Sequence, residues 1–319
     1  MNVMGIDEIT YGADDFDTCK KFFADWGLEL ASEQAEQLVF STLNGCLVKV
    51  VKTDAAGYPA PIEAGPTLRE VVWGVSSPSV LETLAKNLAN EPGFAQSADR
   101  VTCLDPSGML LGFQVTRKHE VSVECAQMNT WNEQPRKNAR SPIYDRAQPV
   151  EVGHVVFFVA DVQKMEEFYV QKIGFAPSDR YPGRGVFLRC DEEGGHHDLF
   201  LLQTPDKKVG LNHVAFAVRD IHEVFGGGLH IDRCGWKTQL GPGRHPISSA
   251  YFWYFQNPAG GLIEYYADED QLDKDWTPRE FEPGPTRFAE WAVDGGLDGN
   301  TRRQKDAKGP DGKFLTDRK

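Results

Sequence analysis

Apolar runs that end in a polar turn recur four times along this 319-residue chain. They are IDEITYGADD from Ile6, LREVVWGVSS from Leu68, VGHVVFFVAD from Val152 and LNHVAFAVRD from Leu211. Each joins β-branched and aromatic residues to a turn, which reads as a strand. A helical pattern follows each one, over 16–26, 79–88, 162–173 and 221–225. In the third, Met165, Phe168, Tyr169 and Lys172 fall on one face and Gly174 closes the helix. Short strands come next: 37–43 and 46–51, 100–104 and 110–115, 185–190 and 198–203, 251–256 and 262–266. The turns LDPSG from Leu104 and QNPAG from Gln256 hold the same place in units two and four.

The pattern predicts an α+β fold of four βαβββ units, paired into two domains. The expected boundaries are 1–117 for the first domain, 118–148 for a polar linker, 149–296 for the second domain and 297–319 for a polar tail. Gly226-Gly227-Gly228 reads as a loop at the end of the fourth helix, flanked by solvent-facing His222 and His230. No Lys-Ser/Thr follows it as a phosphate loop requires.

Charge narrows the class of protein. Thirty-four basic residues against 47 acidic ones leave a formal charge of −13, which disfavours nucleic acid and anionic membrane surfaces as partners. No run reaches the ~20 apolar residues of a membrane span. The N-terminus carries Asp7, Glu8, Asp14, Asp15 and Asp17 where a signal peptide is basic and apolar, so a cytoplasmic location is expected. The six cysteines form no C-x-x-C pair and read as free thiols.

Seven of the eight histidines lie between residues 154 and 245. His154 is third in the first strand of unit three, and His213 holds the same position in unit four. Glu264 interrupts the apolar last strand, where a carboxylate is costly without a cation. Two histidines and a carboxylate on rigid strands are the facial triad of non-haem Fe(II), a ligand set that also accepts Mn(II). The corresponding residues of the first two units are Glu8, Glu70 and Gly112, with no imidazole among them. The first domain is therefore expected to be structural and metal-free.

With these residues in view, the chain resembles the type I extradiol ring-cleaving dioxygenases of the catechol and dihydroxybiphenyl kind, in the vicinal oxygen chelate superfamily. The likeness spans about residues 5–291 in architecture and 153–266 in motif. It rests on the double histidine His196-His197, the loop Gly241-Pro242-Gly243-Arg244-His245, Tyr254 nine residues on, and Glu264 ten further. The run Pro246-Ile247-Ser248-Ser249 departs from the family's Thr-Asn-Asp-His, with Ser248 in place of the acid.

The resemblance implies two incomplete β-barrel domains with outer helices. It implies a metal held by His154, His213 and Glu264, with Fe(II) first and Mn(II) second, and O2 as cosubstrate. By the same likeness, His245 and Tyr254 orient and deprotonate an aromatic diol, while His197, rather than His196, supplies a proton from the other side. Ring opening beside the diol would follow, as a step in aromatic catabolism, in a homo-oligomer. Strand alternation and the likeness together nominate Phe158, Phe187, Phe252 and Ser248 as pocket wall. Trp276, Trp291 and the stretch 281–285 are expected to pack over the second domain. Competing expectations are a 4-hydroxyphenylpyruvate-type oxygenase, a glyoxalase-like isomerase, and a metal-free small-molecule-binding protein.

Overall fold

A computed structural model describes residues 2–294. The polar tail expected at 297–319 lies outside the described residues. The first unit comprises β1 (Val3–Gly12), α1 (Phe16–Asp25), β2 (Glu29–Gln34), β3 (Gln37–Ser41) and β4 (Leu47–Val51). The second comprises β5 (Thr67–Val75), α2 (Pro78–Leu88), β6 (Ala95–Gln96), β7 (Arg100–Leu104) and β8 (Leu110–Val115). The third runs through β9 (Glu151–Phe158), α3 (Val162–Phe168) with a π-turn over Tyr169–Ile173, β10 (Ala176–Tyr181), β11 (Gly185–Arg189), the short β12 (Gly194–Gly195) and β13 (Leu199–Leu202). The fourth comprises β14 (Gly210–Ala217), α4 (Ile221–Arg233), β15 (Thr238–Arg244), β16 (Tyr251–Gln256) and β17 (Leu262–Ala267). After it come β18 (Gln271–Leu272), β19 (Arg279–Glu280), α5 (Pro285–Phe288) and β20 (Trp291–Asp294).

The fourfold βαβββ pattern is thus present, including the strand directly after each helix that hydrophobicity alone did not mark out. Those strands are hard to read because β2 is exposed along its whole length and β6 is two residues long. Two large open sheets result, ordered β2-β3-β4-β1-β5-β8-β7-β6 and β19-β10-β11-β13-β9-β14-β17-β16-β15-β20, and β12 pairs with β18 in a small third one. In each, the first strands of paired units lie antiparallel at the centre, β1 beside β5 and β9 beside β14. Each central strand has a parallel outer neighbour, β4, β8, β13 or β17. Residues 118–148 contain neither helix nor strand among the described residues.

The apolar core is continuous across both sheets. Trp26, which caps α1, stacks on Tyr265 of β17 at 3.6 Å, and the Tyr265 hydroxyl donates to the Trp26 carbonyl at 2.6 Å. Fully buried aromatics of this size dominate such a seam.

One expectation is overturned at the triple glycine. The helix does not stop at 225; it continues through Gly226, Gly227 and Gly228 to Arg233. The glycines are there for closeness. A Cβ at Gly228 would lie 2.0 Å from the Trp253 ring, and one at Gly227 would lie 2.6 Å from the Ala147 methyl. His222 and His230, expected in solvent, are half-buried on this helix. His222 Nε2 meets the Ser141 hydroxyl at 2.9 Å. Gly228→Ala should therefore lower stability by about 1–3 kcal/mol through overpacking, read as a drop in Tm. Gly284→Ala, where an added methyl meets nothing within 4 Å, should leave Tm unchanged.

The turn of unit two is tied to unit three by a buried carboxyl. Asp105 accepts from the Ser107 and Met109 amides at 2.8 and 3.0 Å and from the Tyr169 hydroxyl at 3.2 Å. Burial outweighs these bonds and pushes its pKa up to about 6. A carboxyl raised above its unfolded value of ~3.9 gives stability that is complete below that value and is lost as pH rises through about 6. The Tm difference between Asp105→Asn and the parent should therefore shift in the variant's favour from pH 4 to pH 7.

Candidate metal centre

Strand order alone brings the donors together. β9, β14, β17 and β16 are consecutive neighbours in the second sheet. His154 pairs with Ala215, Ala215 with Glu264, and Glu264 with Tyr254, so four residues lie in one row across four strands. Ala215 is fully buried, and its methyl leaves the space into which the flanking side chains lean. His213 stands two residues before Ala215 and so on the same face. The β9–β14 pairing slips between Leu211 and His213, an irregularity of the kind that re-aims side chains beside a site.

The three polar tips converge. His154 Nε2 and His213 Nε2 are 3.3 Å apart, and each approaches Glu264 Oε2, at 3.3 and 3.1 Å. Metal–ligand bonds of about 2.1 Å place adjacent octahedral donors roughly 3.0 Å apart, so a single divalent ion fits this triangle. The chemistry of the donors agrees. Glu264 is 1% exposed, and neither of its oxygens receives a hydrogen bond. Burial alone would raise its pKa, but His154, His213 and His245 hold it well below the ordinary carboxylate range. Burial, and then the neighbouring His197, push the His154 imidazole down to about 3; burial lowers His213 as well. Two neutral imidazoles and one carboxylate are the forms that ligate a metal.

The surroundings fix these rings. His213 Nδ1 donates to Asn212 Oδ1 at 2.7 Å, which leaves the Nε2 lone pair facing Glu264. Gly153 has no side chain because a Cβ there would strike the Tyr266 hydroxyl at 1.9 Å. Tyr266 in turn packs against the His154 ring at 5.0 Å.

A cavity opens over the triad, lined by Val156, Tyr181, Phe187, Phe200, Ile247 and Phe288 among others. His245 closes one side. Its Nδ1 donates to the Phe288 carbonyl at 2.7 Å, so its Nε2 is free to accept from the Tyr254 hydroxyl at 3.1 Å. The same Nε2 lies 3.6 Å from Glu264. On the opposite side the His197 ring lies 4.1 Å from that of His154, and its Nδ1 lies 3.0 Å from Glu269 Oε1. His196 turns away to Asp179 Oδ2 at 2.9 Å. Asp179 is itself held by Arg279 at 2.7 Å.

Of the residues nominated as pocket wall, Phe187 and Ser248 face the cavity. Phe252 and Phe158 do not line it. Phe252 is fully buried and stacks on the His245 ring at 4.1 Å, so it supports a wall residue from behind. Phe158 ends β9 beneath the Lys208 ammonium, 4.6 Å from its ring. Sequence reasoning missed Tyr181, Phe200, Asn212, Glu269 and Phe288. Alternation along β13, and the position of Asn212 beside a ligand candidate, were the signals available for Phe200 and Asn212. Phe288 reaches the cavity through the C-terminal segment, which carried no periodic signal. Trp276 packs over the second sheet as expected, its indole donating to the Ser178 carbonyl at 2.8 Å, whereas Trp291 is 42% exposed.

The first sheet repeats the row without the chemistry. Glu8 pairs with Val72, and Val72 with Gly112. Glu8 is neutralised by Lys49 at 2.7 Å and Glu70 by Arg100 at 2.6 Å. A Cβ at Gly112 would meet the Arg100 guanidinium at 2.9 Å, so glycine makes room for the cation.

Comparison with known proteins agrees with this geometry. The profile of the Glyoxalase/Bleomycin resistance protein/Dioxygenase superfamily matches residues 151–265. That stretch is similar to a domain of that superfamily. Metapyrocatechase 2 of Cupriavidus necator is 33% identical over 127 residues, 40% of this chain and 39% of that protein. A 2,2',3-trihydroxybiphenyl dioxygenase of Sphingomonas paucimobilis is 29% identical over 118 residues, 35% of this chain and 40% of that protein. The matched stretch thus spans about two fifths of each of these relatives. The Mn(II)-bound glyoxalase from Novosphingobium aromaticivorans superposes with a TM-score of 0.72 at 25% identity, over 92% of this chain and 93% of that one. The mixed α+β fold with two many-stranded sheets therefore matches that of a solved structure over most of its length. No described helix is long and apolar enough to cross a membrane.

Anaerobic loading with Fe(II) or Mn(II), measured by elemental analysis, should give one tightly held ion and none in Glu264→Ala. Asn212→Ala should keep the site but weaken it about 10–100-fold, as loss of a ring-orienting partner does.

Proposed function

We propose that this protein is an extradiol dioxygenase that opens a catecholic ring beside its diol, using O2 and one Fe(II), with Mn(II) as the alternative ion. The observation that carries the reading is the open face of the His154–His213–Glu264 triangle, which looks into an aromatic cavity with His245–Tyr254 on one side and His197 on the other.

When bound, the ion would acidify the substrate hydroxyls and bring diol and dioxygen to one centre. The chain's own residues do the rest. Phe187, Phe200 and Tyr181 enclose a flat ring, and Phe288 covers it. His245 is held with a lone pair on Nε2, because its Nδ1–H is committed to the Phe288 carbonyl. It is thus placed to take a hydroxyl proton, with the Tyr254 hydroxyl beside it to hold the resulting oxygen anion. His197, on the far side, is placed to return a proton to oxygen as the ring opens. Its Glu269 contact orients the ring. Ser248 lies in the cavity wall at a φ of 74°, a left-handed conformation, and offers a hydroxyl in place of a charge. That suits an uncharged ring substituent better than a cationic one.

A second reading is favoured by the likeness to the Mn(II)-bound glyoxalase: an isomerase or lyase that uses the same triad without O2. The two readings separate in one assay. The metal-loaded protein, mixed with catechol, 3-methylcatechol and 2,3-dihydroxybiphenyl, should consume O2 in step with a yellow ring-opened product. No O2 uptake with any diol, metal being bound, would overturn the dioxygenase reading. His245→Ala should retain the metal and lose roughly 10²–10⁴-fold in kcat.

A further inference from the structure

A second cluster of metal-type donors lies outside this cavity, where α1 of the first sheet meets the end of α4 of the second. Asp25 is the last residue of α1, His230 is in the last turn of α4, and Cys234 caps that helix. One donor atom from each lies within 4.8 Å of the others. His230 Nε2 and Cys234 Sγ are 3.6 Å apart. Tetrahedral zinc, with bonds of about 2.0 Å to nitrogen and 2.3 Å to sulfur, holds such atoms about 3.5 Å apart.

Local structure accounts for the placement. The spacing of four residues puts both side chains on one face of α4. The helix then ends sharply: the Cys234 amide donates to the His230 carbonyl at 2.9 Å, and Gly235 takes a left-handed φ of 86°. The thiol is thereby held at the helix C-terminus, where the helix dipole favours a cation. Across the gap Asp25 Oδ2 accepts the Trp236 indole N–H at 2.8 Å and the Lys21 ammonium at 2.5 Å. Trp236 packs edge-on against Phe22 at 4.9 Å, so the two helices are already docked. All three donor residues are half-buried, and three protein ligands would leave a tetrahedral ion its fourth position for water.

We propose that Asp25, His230 and Cys234 form a zinc-type site that clasps the two halves of the molecule, separate from the His154–His213–Glu264 centre. Binding replaces the Cys234 thiol proton, which passes to water, with a sulfur–metal bond. Thiolate and carboxylate together balance the +2 charge, and the neutral imidazole completes the protein ligands. Sulfur selects zinc over the harder ions suited to the first centre. Lys21, with a side chain 60% exposed, keeps its hold on one oxygen or swings into solvent.

The test uses the full chain and Co(II) as the probe, because a thiolate–Co(II) pair absorbs strongly in the near ultraviolet and a centre of nitrogen and oxygen donors does not. The band should appear in the parent and in Glu264→Ala, and vanish in Cys234→Ser and His230→Ala. Competition with Zn(II) should remove it. Cys234→Ser should weaken Zn(II) binding by more than about 100-fold, beyond the loss that removal of an outer partner causes. Zn(II) should raise the Tm of Glu264→Ala but not of the double variant that also carries Cys234→Ser. No band in the parent, or a band that survives Cys234→Ser, would overturn the site. A Zn(II)-induced rise in Tm that persists in the double variant would do the same.

Discussion

Everything in the second sheet is arranged around one buried carboxylate. Glu264 sits on β17, beside the central β14, with 1% exposure and no hydrogen bond to either oxygen. Left alone, an ionised group in that position costs several kcal/mol. The fold meets the cost with two imidazoles aimed at the same point, a donor set of the kind that holds a cation. The small Ala215, the irregular register at Asn212–His213 and the missing side chain at Gly153 follow from making that point reachable.

The first sheet shows the same backbone solution with different electrostatics. Glu8 and Glu70 occupy the positions of His154 and His213, but each is neutralised by a cation of its own sheet, and Gly112 leaves room for Arg100 where Glu264 would stand. One βαβββ pair therefore satisfies its carboxylates internally, and the other gathers two imidazoles and a carboxylate at one point. The division of labour rests on side chains at three register positions, since strand order and pairing are otherwise alike.

The repeat and the triad were legible in the chain because both depend on period and equivalence. Strand alternation fixed which residues share a face, and unit-to-unit spacing matched His154 with His213. What was hidden depends on close packing or on long excursions of the chain. Gly226-Gly227-Gly228 has loop composition, yet helical backbone is held there by the approach of Trp253. Phe158 shares a face with His154 but lies beyond the end of the cavity. Phe252 shares a face with Tyr254 and is covered by His245. Phe288, at the end of the short α5, and Glu269, in the loop after β17, reach the site by chain paths that no local pattern encodes. The exposed β2 and two-residue β6 carried no hydrophobic signal at all.

The most direct test of the account is a crystal structure of the anaerobic, Fe(II)-loaded protein with anomalous data collected at the iron edge. An anomalous peak is expected about 2.1 Å from His154 Nε2, His213 Nε2 and a Glu264 oxygen, with its open positions facing Phe187 and His245. No peak within that triangle, with Glu264 held instead by a lysine or arginine, would contradict it.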